Sequence, residues 1–420
     1  MRYAVVAAVL LAACAGRAPA HAEVRVEFAQ WVATQRNVSG FLHGIEADQP
    51  ADSLVDPLRP GLWRLGKLTS YDRAKRSGAR VVLVLSDTWG YPSYHGEHGW
   101  PPEDFAAWEA TVRSLARTHR DKTLLWEIWN EPDAPEFWRG DYAGFLETYA
   151  RAYRVLREEL GPNALIGGPS LSRFDPALLD RFAAFCVARG CEANFLTWHE
   201  LSEDVSSLEG NLRSARARYI DGPSYTALRA GALHVNESVA QASQQRPGAL
   251  VAIWYHLEHG GAAAGARSCW KDAHEESTCF NATLDGLLTP VRMEPTIAWW
   301  TQHAYAAGVG RRVESTTDNA AVTVLASAGS STSPPQLLIG YAPVTPGAVS
   351  MDARIVLHGV RDLLDAGASV QAQRLAADTR GAAITRSPAT RALVPELLDG
   401  SAVFTLTMQP HEAYVVSVIK

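Results

Sequence analysis

The stretch Leu124-Leu125-Trp126-Glu127-Ile128-Trp129-Asn130-Glu131-Pro132-Asp133 decides the fold of this chain. Its mostly apolar first half is typical of a buried strand. Pro132 ends that strand, because proline lacks the N–H group that a strand inside a sheet donates. Asn130 and Glu131 therefore stand where the strand ends. Polar side chains at the carboxyl ends of parallel strands form the functional face of a (β/α)₈ barrel.

Seven other short apolar runs lie along the chain, and the quoted strand is the fourth of the eight. Longer segments separate the runs, and those at 102–117, 141–159 and 176–187 have apolar residues three to four apart, as amphipathic helices require. Alternating strands and helices predict a parallel sheet, and eight units favour a closed barrel over an open doubly wound sheet. The other predicted strands are 41–45, 62–65, 80–85, 164–168, 195–198, 232–235 and 250–254.

The chain changes character after residue 308. Alternating runs such as 321–325, 336–340 and 413–418 replace the helical spacing, which predicts a smaller all-β sandwich over 309–420 after a (β/α)₈ barrel over 40–308. Val24 to Phe28 also alternates, so we expect the segment 23–39 to pair with the β domain.

The first 22 residues are typical of an export signal. The apolar run that begins at Ala4 is too short to span a bilayer. Two processing sites remain open. Leu11-Ala12-Ala13-Cys14 resembles a lipoprotein site at which Cys14 becomes lipidated, and Ala20-His21-Ala22 fits ordinary signal peptidase. The lipoprotein site is favoured, since the other lies well beyond the apolar run. Either site predicts a periplasmic protein or an outer-membrane lipoprotein, the latter with a lipid anchor.

Four other cysteines form two close pairs, Cys186 with Cys191 and Cys269 with Cys279. In an oxidising compartment such pairs predict local disulfides. A metal site is the weaker alternative, because neither pair has CxxC spacing.

Composition and missing motifs exclude several classes of function. The formal net charge is −6, with charges of both signs interspersed and no basic stripe, so we expect no nucleic-acid partner. The sequence lacks a Gly-x-Ser-x-Gly elbow, a phosphate-binding loop and a His-Glu-x-x-His motif. We expect neither a cofactor nor a metal.

A second carboxylate ends another strand, in His234-Val235-Asn236-Glu237-Ser238. This is the seventh predicted strand. Two carboxylates on one barrel face match the needs of glycoside hydrolysis, in which one donates a proton to the leaving oxygen and the other attacks the anomeric carbon. The pair would lie about 5–5.5 Å apart in a retaining enzyme. The charge of the nucleophile is expected to raise the pKa of its neighbour.

The Trp-Asn-Glu-Pro segment, with a second Glu on the seventh strand, resembles the clan of retaining glycosidases whose carboxylates lie on strands four and seven. Within that clan the chain looks most like glycoside hydrolase family 39, and especially its bacterial exopolysaccharide endoglycosidases. The resemblance implies a (β/α)₈ barrel with a trailing β domain. It also implies Glu131 as the acid/base and Glu237 as the nucleophile.

The resemblance implies supporting roles for further residues. Asn130 would bind the 2-hydroxyl group of the sugar, Arg64 would keep the nucleophile ionised, and His199 would lie near the nucleophile. Trp254, at the end of the predicted eighth strand, would form an aromatic floor. His43 and Trp89, at the ends of the first and third strands, would line the subsite. The clan often has a His after the third strand, where this chain has Ser86-Asp87-Thr88-Trp89.

Alternatives remain at the level of residues and of function. Glu127 is expected to point into the barrel and be held by hydrogen bonds there, while Glu200, Glu203 and Glu258 are other carboxylates in reach of the nucleophile position. The expected activity is endo cleavage of a bacterial exopolysaccharide by a monomer. The alternatives are an exo-acting β-xylosidase, an inactive barrel that binds polysaccharide, and a structural lipoprotein.

Overall fold

The structure is a computed structural model, and it describes residues 20–90, 100–272, 274–330, 333–378 and 380–420. Cys14 and most of the expected export signal lie outside these residues. Eight parallel strands close into a barrel, and ten further strands form a second sheet, so the predicted barrel with a smaller β domain is confirmed. No helix in the described part of the chain is long and apolar enough to cross a membrane.

The barrel strands follow one another around the barrel in chain order, as successive βα units do. Seven of the eight predicted strands are confirmed. The barrel strands are β2 (Ser39–Leu42), β3 (Leu62–Leu65), β4 (Arg80–Val84), β5 (Leu124–Glu127), β6 (Leu165–Leu171), β7 (Phe195–Glu200), β8 (Ala232–Ser238) and β9 (Ala264–Arg267).

Helices surround the barrel, and their ends carry the capping residues that their sequences offer. The side chain of Asp141 accepts a hydrogen bond from the Gly144 amide (2.8 Å), and Asp175 caps the next long helix in the same way. The helices are α1 (Asp52–Val55), α2 (Tyr71–Arg76), α3 (Leu85–Trp89), α4 (Phe105–Thr118), α5 (Tyr142–Leu160), α6 (Pro176–Arg189), α7 (Leu208–Ala215), α8 (Pro247–His259), α9 (Ile297–Gly308) and, in the β domain, α10 (Arg361–Asp365).

The eighth strand was predicted wrongly. Residues 250–254 lie in α8, and the eighth strand is Ala264–Arg267. Helix α8 packs between the barrel and the β domain and is apolar nearly all round, so its sequence has no amphipathic spacing and looks like that of a buried strand. The true strand is Ala-Gly-Ala-Arg, which lacks the branched residues typical of strands.

The β domain is one ten-stranded sheet that folds over its own face. Side chains from both halves belong to a single apolar cluster, which gives the expected two-layer sandwich. The strands in sheet order are β15 (Thr390–Leu393), β14 (Ser369–Leu375), β18 (Ala413–Ile419), β12 (Gln336–Tyr341), β11 (Val322–Ser327), β10 (Arg311–Thr317), β1 (Ala20–Thr34), β13 (Met351–His358), β17 (Ser401–Met408) and β16 (Glu396–Leu398).

The N-terminal strand belongs to this sheet and not to the barrel. Strand β1 pairs with β10 in antiparallel and with β13 in parallel orientation. The barrel is therefore inserted between the first strand of the β domain and the other nine.

The outer face of β11 and β12 packs on α8 and α9 of the barrel. Gly248 and Gly340 permit this close approach, since a Cβ atom on Gly248 would lie 2.2 Å from the carbonyl oxygen of Tyr341. Arg312 of β10 makes a bidentate ion pair with Glu258 of α8, with distances of 2.8 and 2.6 Å. The two domains thus share a closely packed interface with a buried ion pair.

The cysteine prediction is half right. Cys269 and Cys279 form a disulfide, whereas Cys186 and Cys191 are free thiols. Cys186 lies in the last turn of α6, and the amide of Cys191 donates to its carbonyl oxygen (2.9 Å). Both thiols are buried, and burial raises the pKa of Cys186, so the thiolate that oxidation requires is disfavoured.

Candidate active site

The two predicted carboxylates lie at the carboxyl ends of the fourth and seventh barrel strands. Glu131 follows β5, and Glu237 is the next-to-last residue of β8. Glu131 is 9% exposed and the side chain of Glu237 is 15% exposed, so both are sheltered but reachable. Glu131 has a φ of 44°, in the left-handed region, and its amide donates to the carbonyl oxygen of Ser170 (2.8 Å). Such a conformation in a non-glycine residue is costly and typical of functional sites.

Arg64, from the second barrel strand, connects most of the polar groups beneath the site. Its guanidinium donates to Glu127 (2.6 Å), Glu237 (3.0 Å), Asn130 (2.7 Å) and the Ser170 hydroxyl (3.1 Å). The side chain is buried, so these charge-assisted hydrogen bonds act in a medium of low dielectric constant. Arg64 therefore fixes the position of Asn130 and places a permanent positive charge beside Glu237.

His199, from the sixth strand, lies between the two carboxylates. Its Nδ1 is 2.7 Å from Oε1 of Glu131, and its Nε2 is 3.8 Å from Oε1 of Glu237. The Ser170 hydroxyl is 3.3 Å from the same Nε2. One imidazole thus contacts both candidate catalytic groups, as the expectation of a His near the nucleophile required.

The pKa shifts of Glu131 and His199 differ from the sequence-based expectation. Burial raises the pKa of Glu131, but the hydrogen bond from His199 and the charges of His199 and Arg64 outweigh it, so this pKa is below its usual value. Burial lowers the pKa of His199, but the negative charges of Glu237 and Glu131 outweigh that effect and raise it. The expectation of a raised pKa for Glu131 is therefore wrong. Both shifts favour a charged His199 imidazole beside a charged Glu131 carboxylate, with the two atoms 2.7 Å apart.

The alternative carboxylates are engaged elsewhere. Glu127 points into the barrel, as expected, and binds Arg64 and the Asn236 amide. Glu200 accepts hydrogen bonds from Trp198 and Asn211, and burial raises its pKa.

Glu203 and Glu258 are likewise paired away from the site. Glu203 is an exposed partner of Arg246, and Glu258 is the buried partner of Arg312 at the domain interface. Among the described acids that were considered as nucleophiles, Glu237 alone contacts both Arg64 and His199.

A second group of side chains lies at the ends of the first and third strands. The amide of Gly66 donates to Nδ1 of His43 (3.3 Å), so the ring proton is on Nε2, which donates to Asp87 (3.2 Å). Of the stretch 86–89, where the clan often has a His, Asp87 is the residue that binds His43. The ring of Phe280 packs on His43, with centroids 5.3 Å apart.

Two aromatic predictions need correction. Trp254 was expected at the end of the eighth strand, but it lies in α8 and stacks on Tyr305, with ring centroids 4.5 Å apart. It therefore does not form a floor beneath the site. Trp89 does not end the third strand. It lies in α3, buried edge-on against Trp108 (5.4 Å). The aromatic residue that follows the true eighth strand is Trp270, whose indole donates to the carbonyl oxygen of Val239 (2.9 Å).

Sequence reasoning missed two buried polar residues near the carboxylates. Ser170 lies in β6, which continues to Leu171, whereas the predicted strand ended at Gly168. Asp285 lies in the loop after the eighth strand and accepts a hydrogen bond from the Leu42 amide (2.7 Å). Burial and the charge of Glu237 raise the pKa of Asp285 well above its usual value. A prediction that extended β6 over its full seven residues would have included Ser170. No local sequence pattern marks Asp285.

The described residues include no group of three or more His, Cys, Asp or Glu side chains that could hold a metal ion. The charged and titratable side chains in contact at this face are two carboxylates, an imidazole and a guanidinium. Together these groups can transfer protons and stabilise an ionised nucleophile.

Comparison with known proteins gives a consistent result. The family model described as "Glycosyl hydrolases family 39" matches residues 90–219. A β-xylosidase of Geobacillus stearothermophilus is 26% identical over 110 residues, which are 24% of this chain and 21% of that enzyme. The match thus spans about a fifth of this relative.

Several solved structures share the fold. Protein N2152 from Neocallimastix frontalis has a TM-score of 0.77 at 20% identity, covering 95% of this chain and 100% of that one. A family 39 enzyme from Xanthomonas axonopodis pv. citri has a TM-score of 0.67 at 16% identity, covering 98% and 100%. A family 39 β-xylosidase from Caulobacter crescentus has a TM-score of 0.65 at 16% identity, covering 95% and 100%.

The barrel and its paired carboxylates are typical of glycoside hydrolases. Over residues 90–219 the chain is similar to glycosyl hydrolase family 39, and its fold is similar to that of solved family 39 enzymes.

Proposed function

We propose that the protein is a retaining glycoside hydrolase with Glu131 as acid/base and Glu237 as nucleophile. The observation that carries this proposal is the contact of both carboxylates with the single imidazole of His199, while Arg64 holds Glu237. Such a pair, on strands four and seven, suits double displacement.

In the first step, a carboxylate oxygen of Glu237 attacks the anomeric carbon and the bond from that carbon to the leaving oxygen breaks. Glu131 gives its proton to the leaving oxygen, and a glycosyl ester of Glu237 remains. In the second step, Glu131 removes a proton from water, and the water oxygen displaces Glu237 from the anomeric carbon. Configuration is therefore retained.

Glu131 must hold a proton for the first step, and His199 supplies it. The two atoms are 2.7 Å apart, so a proton can move along the existing hydrogen bond. A bound sugar excludes water from Glu131, and further burial raises its pKa and draws the proton from the imidazole. After the second step, the proton returns to the Glu131–His199 pair.

Arg64 and Asn130 complete the arrangement. The guanidinium beside Glu237 stabilises the ionised form, which is the nucleophilic one. Because Oδ1 of Asn130 accepts from Arg64, its amide N–H groups are directed away from that hydrogen bond. We assign them to a sugar hydroxyl, which the resemblance implies to be the 2-hydroxyl group.

For the substrate we propose a bacterial exopolysaccharide that is cleaved within the chain. A second candidate is an exo-acting β-xylosidase. Two observations favour it, the sequence match to a β-xylosidase and the disulfide-bonded loop that holds Cys279 and Leu284 on Gly44, at the end of the first strand. A long loop at this face is typical of a pocket for chain ends.

The test is product analysis on bacterial exopolysaccharides, xylan and 4-nitrophenyl β-xyloside. Glu131→Gln and Glu237→Gln should each lose at least about 10²–10⁴-fold in kcat, the usual contribution of such groups. Glu200→Gln is the matched control and should retain activity. Oligosaccharide products support endo action, and release of xylose alone supports the exo candidate. Tight binding of a polysaccharide without cleavage would favour the inactive barrel.

Azide separates the two roles. In Glu131→Ala, azide should accelerate breakdown of the ester and give a glycosyl azide of retained configuration. In Glu237→Ala, azide should attack directly and give the inverted product. The opposite assignment of products would exchange the two roles, and no rescue of either variant would contradict the mechanism.

We also propose that the chain is exported, acts as a monomer and is processed before Cys14, which gives a lipid-anchored protein. Cleavage after Ala22 would remove three residues of β1, and Ala22 is buried in the core of the β domain. The intact mass of the native protein decides between a lipidated N-terminal Cys14 and an N-terminal Glu23. Light scattering gives the oligomeric state.

A further inference from the structure

The ring of Phe280 is a large apolar side chain that is mostly exposed. It lies at the rim of the barrel face, and the residue is 60% exposed. Isolated exposed aromatic residues are common on protein surfaces. The surroundings of this ring, and not its exposure alone, therefore decide whether it has a function.

Three contacts hold the loop around Phe280 in place. Cys279, the preceding residue, is joined to Cys269 by the disulfide. The carbonyl oxygen of Cys279 accepts a hydrogen bond from the Gly44 amide (3.0 Å), and the Gly44 carbonyl oxygen accepts one from the Leu284 amide (2.9 Å). The loop is therefore fastened to the end of the first barrel strand on both sides of Phe280.

The support beneath the ring is rigid as well. Phe280 packs on His43 with an interplanar angle of 32°. His43 is fixed on both ring nitrogens, by the Gly66 amide and by Asp87. One face of the phenyl ring is thus occupied, and the exposed part of the ring is held without needing to order on binding, which lowers the entropic cost of a contact.

The location of the ring connects it to the catalytic groups. The amide of His43 donates to the carbonyl oxygen of Arg64 (2.9 Å), and Arg64 binds Glu237. His43 and Phe280 lie on the side of the face formed by strands eight, one and two, across the barrel axis from Glu131 on strand four.

We propose that Phe280 is a binding platform for a second sugar unit, next to the unit whose bond is broken. The exposed ring packs against the carbon–hydrogen face of a pyranose, and His43 and Asp87 are positioning residues for the ring. The ligand is an oligosaccharide of at least two units. This inference rests on the proposed glycosidase function and extends it to the length of the substrate.

The test compares kinetics on short and long substrates. Phe280→Ala should raise KM for xylohexaose about tenfold, the effect of losing an aromatic contact at a binding site, with kcat nearly unchanged. On 4-nitrophenyl β-xyloside, which has one sugar unit, both constants should stay within about twofold. Phe280→Tyr keeps the ring and should behave like the wild type.

Controls separate the platform from general damage. Trp31→Ala removes a similarly exposed ring (58%) on the β domain and should leave KM and kcat unchanged for both substrates. Replacing Cys269 and Cys279 with Ser frees the loop and should raise KM for xylohexaose, and adding Phe280→Ala to that variant should then cost little more. Full additivity of the two effects would contradict the rigid platform.

The outcomes remain distinguishable if the proposed function fails. If the wild type turns over no substrate, calorimetric binding of xylohexaose still tests the platform. A weaker affinity in Phe280→Ala than in the wild type supports it. Equal affinity in wild type and variant, or no binding by either, overturns it. An equal rise of KM for the one-unit and six-unit substrates also overturns it, because Phe280 would then act at the reacting unit or through the fold.

Discussion

Replacing Arg312 with Met should destabilise the protein strongly without altering the active site. Arg312 is 9% exposed and its partner Glu258 is 4% exposed. The guanidinium donates to both oxygens of Glu258 and to the carbonyl oxygen of Gly308 (2.7 Å). The variant leaves Glu258 buried with the Tyr305 hydroxyl as its remaining donor (2.8 Å).

The expected loss follows from that unpaired charge. Removing one partner of a buried ion pair typically costs about 3–5 kcal/mol, because the other charge stays in a medium of low dielectric constant. The double variant Arg312→Met, Glu258→Leu removes the charge itself. It should recover most of the loss and leave a deficit of about 1 kcal/mol, since the Tyr305 hydroxyl then lacks its acceptor.

Urea unfolding followed by circular dichroism and tryptophan fluorescence measures both variants. Arg361→Ala is the control, since its pair with Asp365 is about half exposed and should contribute less than about 0.5 kcal/mol. Activity in buffer should match that of the wild type. The reasoning is refuted if Arg312→Met loses less than about 1 kcal/mol, or if the double variant is less stable than the single one.

Two further predictions concern titration and oxidation. The pKa of His199 is raised, so its charge contributes to stability below about pH 6.5 and that contribution is lost as the pH rises through the raised value. NMR titration should give a pKa above 6.5 that falls in Glu131→Gln, while His234, whose pKa burial lowers to about 3, stays neutral in the same range as an internal reference. An unchanged pKa of His199 in the variant would contradict the ion pair. Alkylation after denaturation without a reductant should label Cys186 and Cys191, and protection of this pair would show that it forms a disulfide in the native protein.

Most of the fold could be predicted because the βα alternation is strong and local. Seven barrel strands were placed correctly, and the strands at 321–325, 336–340 and 413–418 overlap β11, β12 and β18. The eighth strand was predicted wrongly because a helix that is buried on all sides lacks the spacing of apolar residues that distinguishes a helix from a strand. Residues 250–254 are apolar because two domains cover α8, and no short stretch of sequence contains that information.

The site was predictable where a motif ends a strand. The resemblance to the clan implied Arg64, Asn130 and His199 at the ends of their strands, and the structure brings them together with the carboxylates. Groups that reach the site from loops could not be found this way. Asp285 and Phe280 depend on how the segment after the eighth strand returns over the first strand, which only long-range contacts determine.

The pairing of β1 between β10 and β13 has a consequence for how the chain folds. The β domain cannot be completed until residues almost 400 positions after β1 have been synthesised, since β18 also belongs to the same sheet. A fragment that begins at residue 309 would lack an inner strand and expose two unpaired edges, which promotes aggregation. The barrel, by contrast, is complete before the last nine strands exist. The order of synthesis therefore favours a barrel that folds first. Strand β1 then stays unpaired until β10 and β13 have been synthesised and pair with it on both sides.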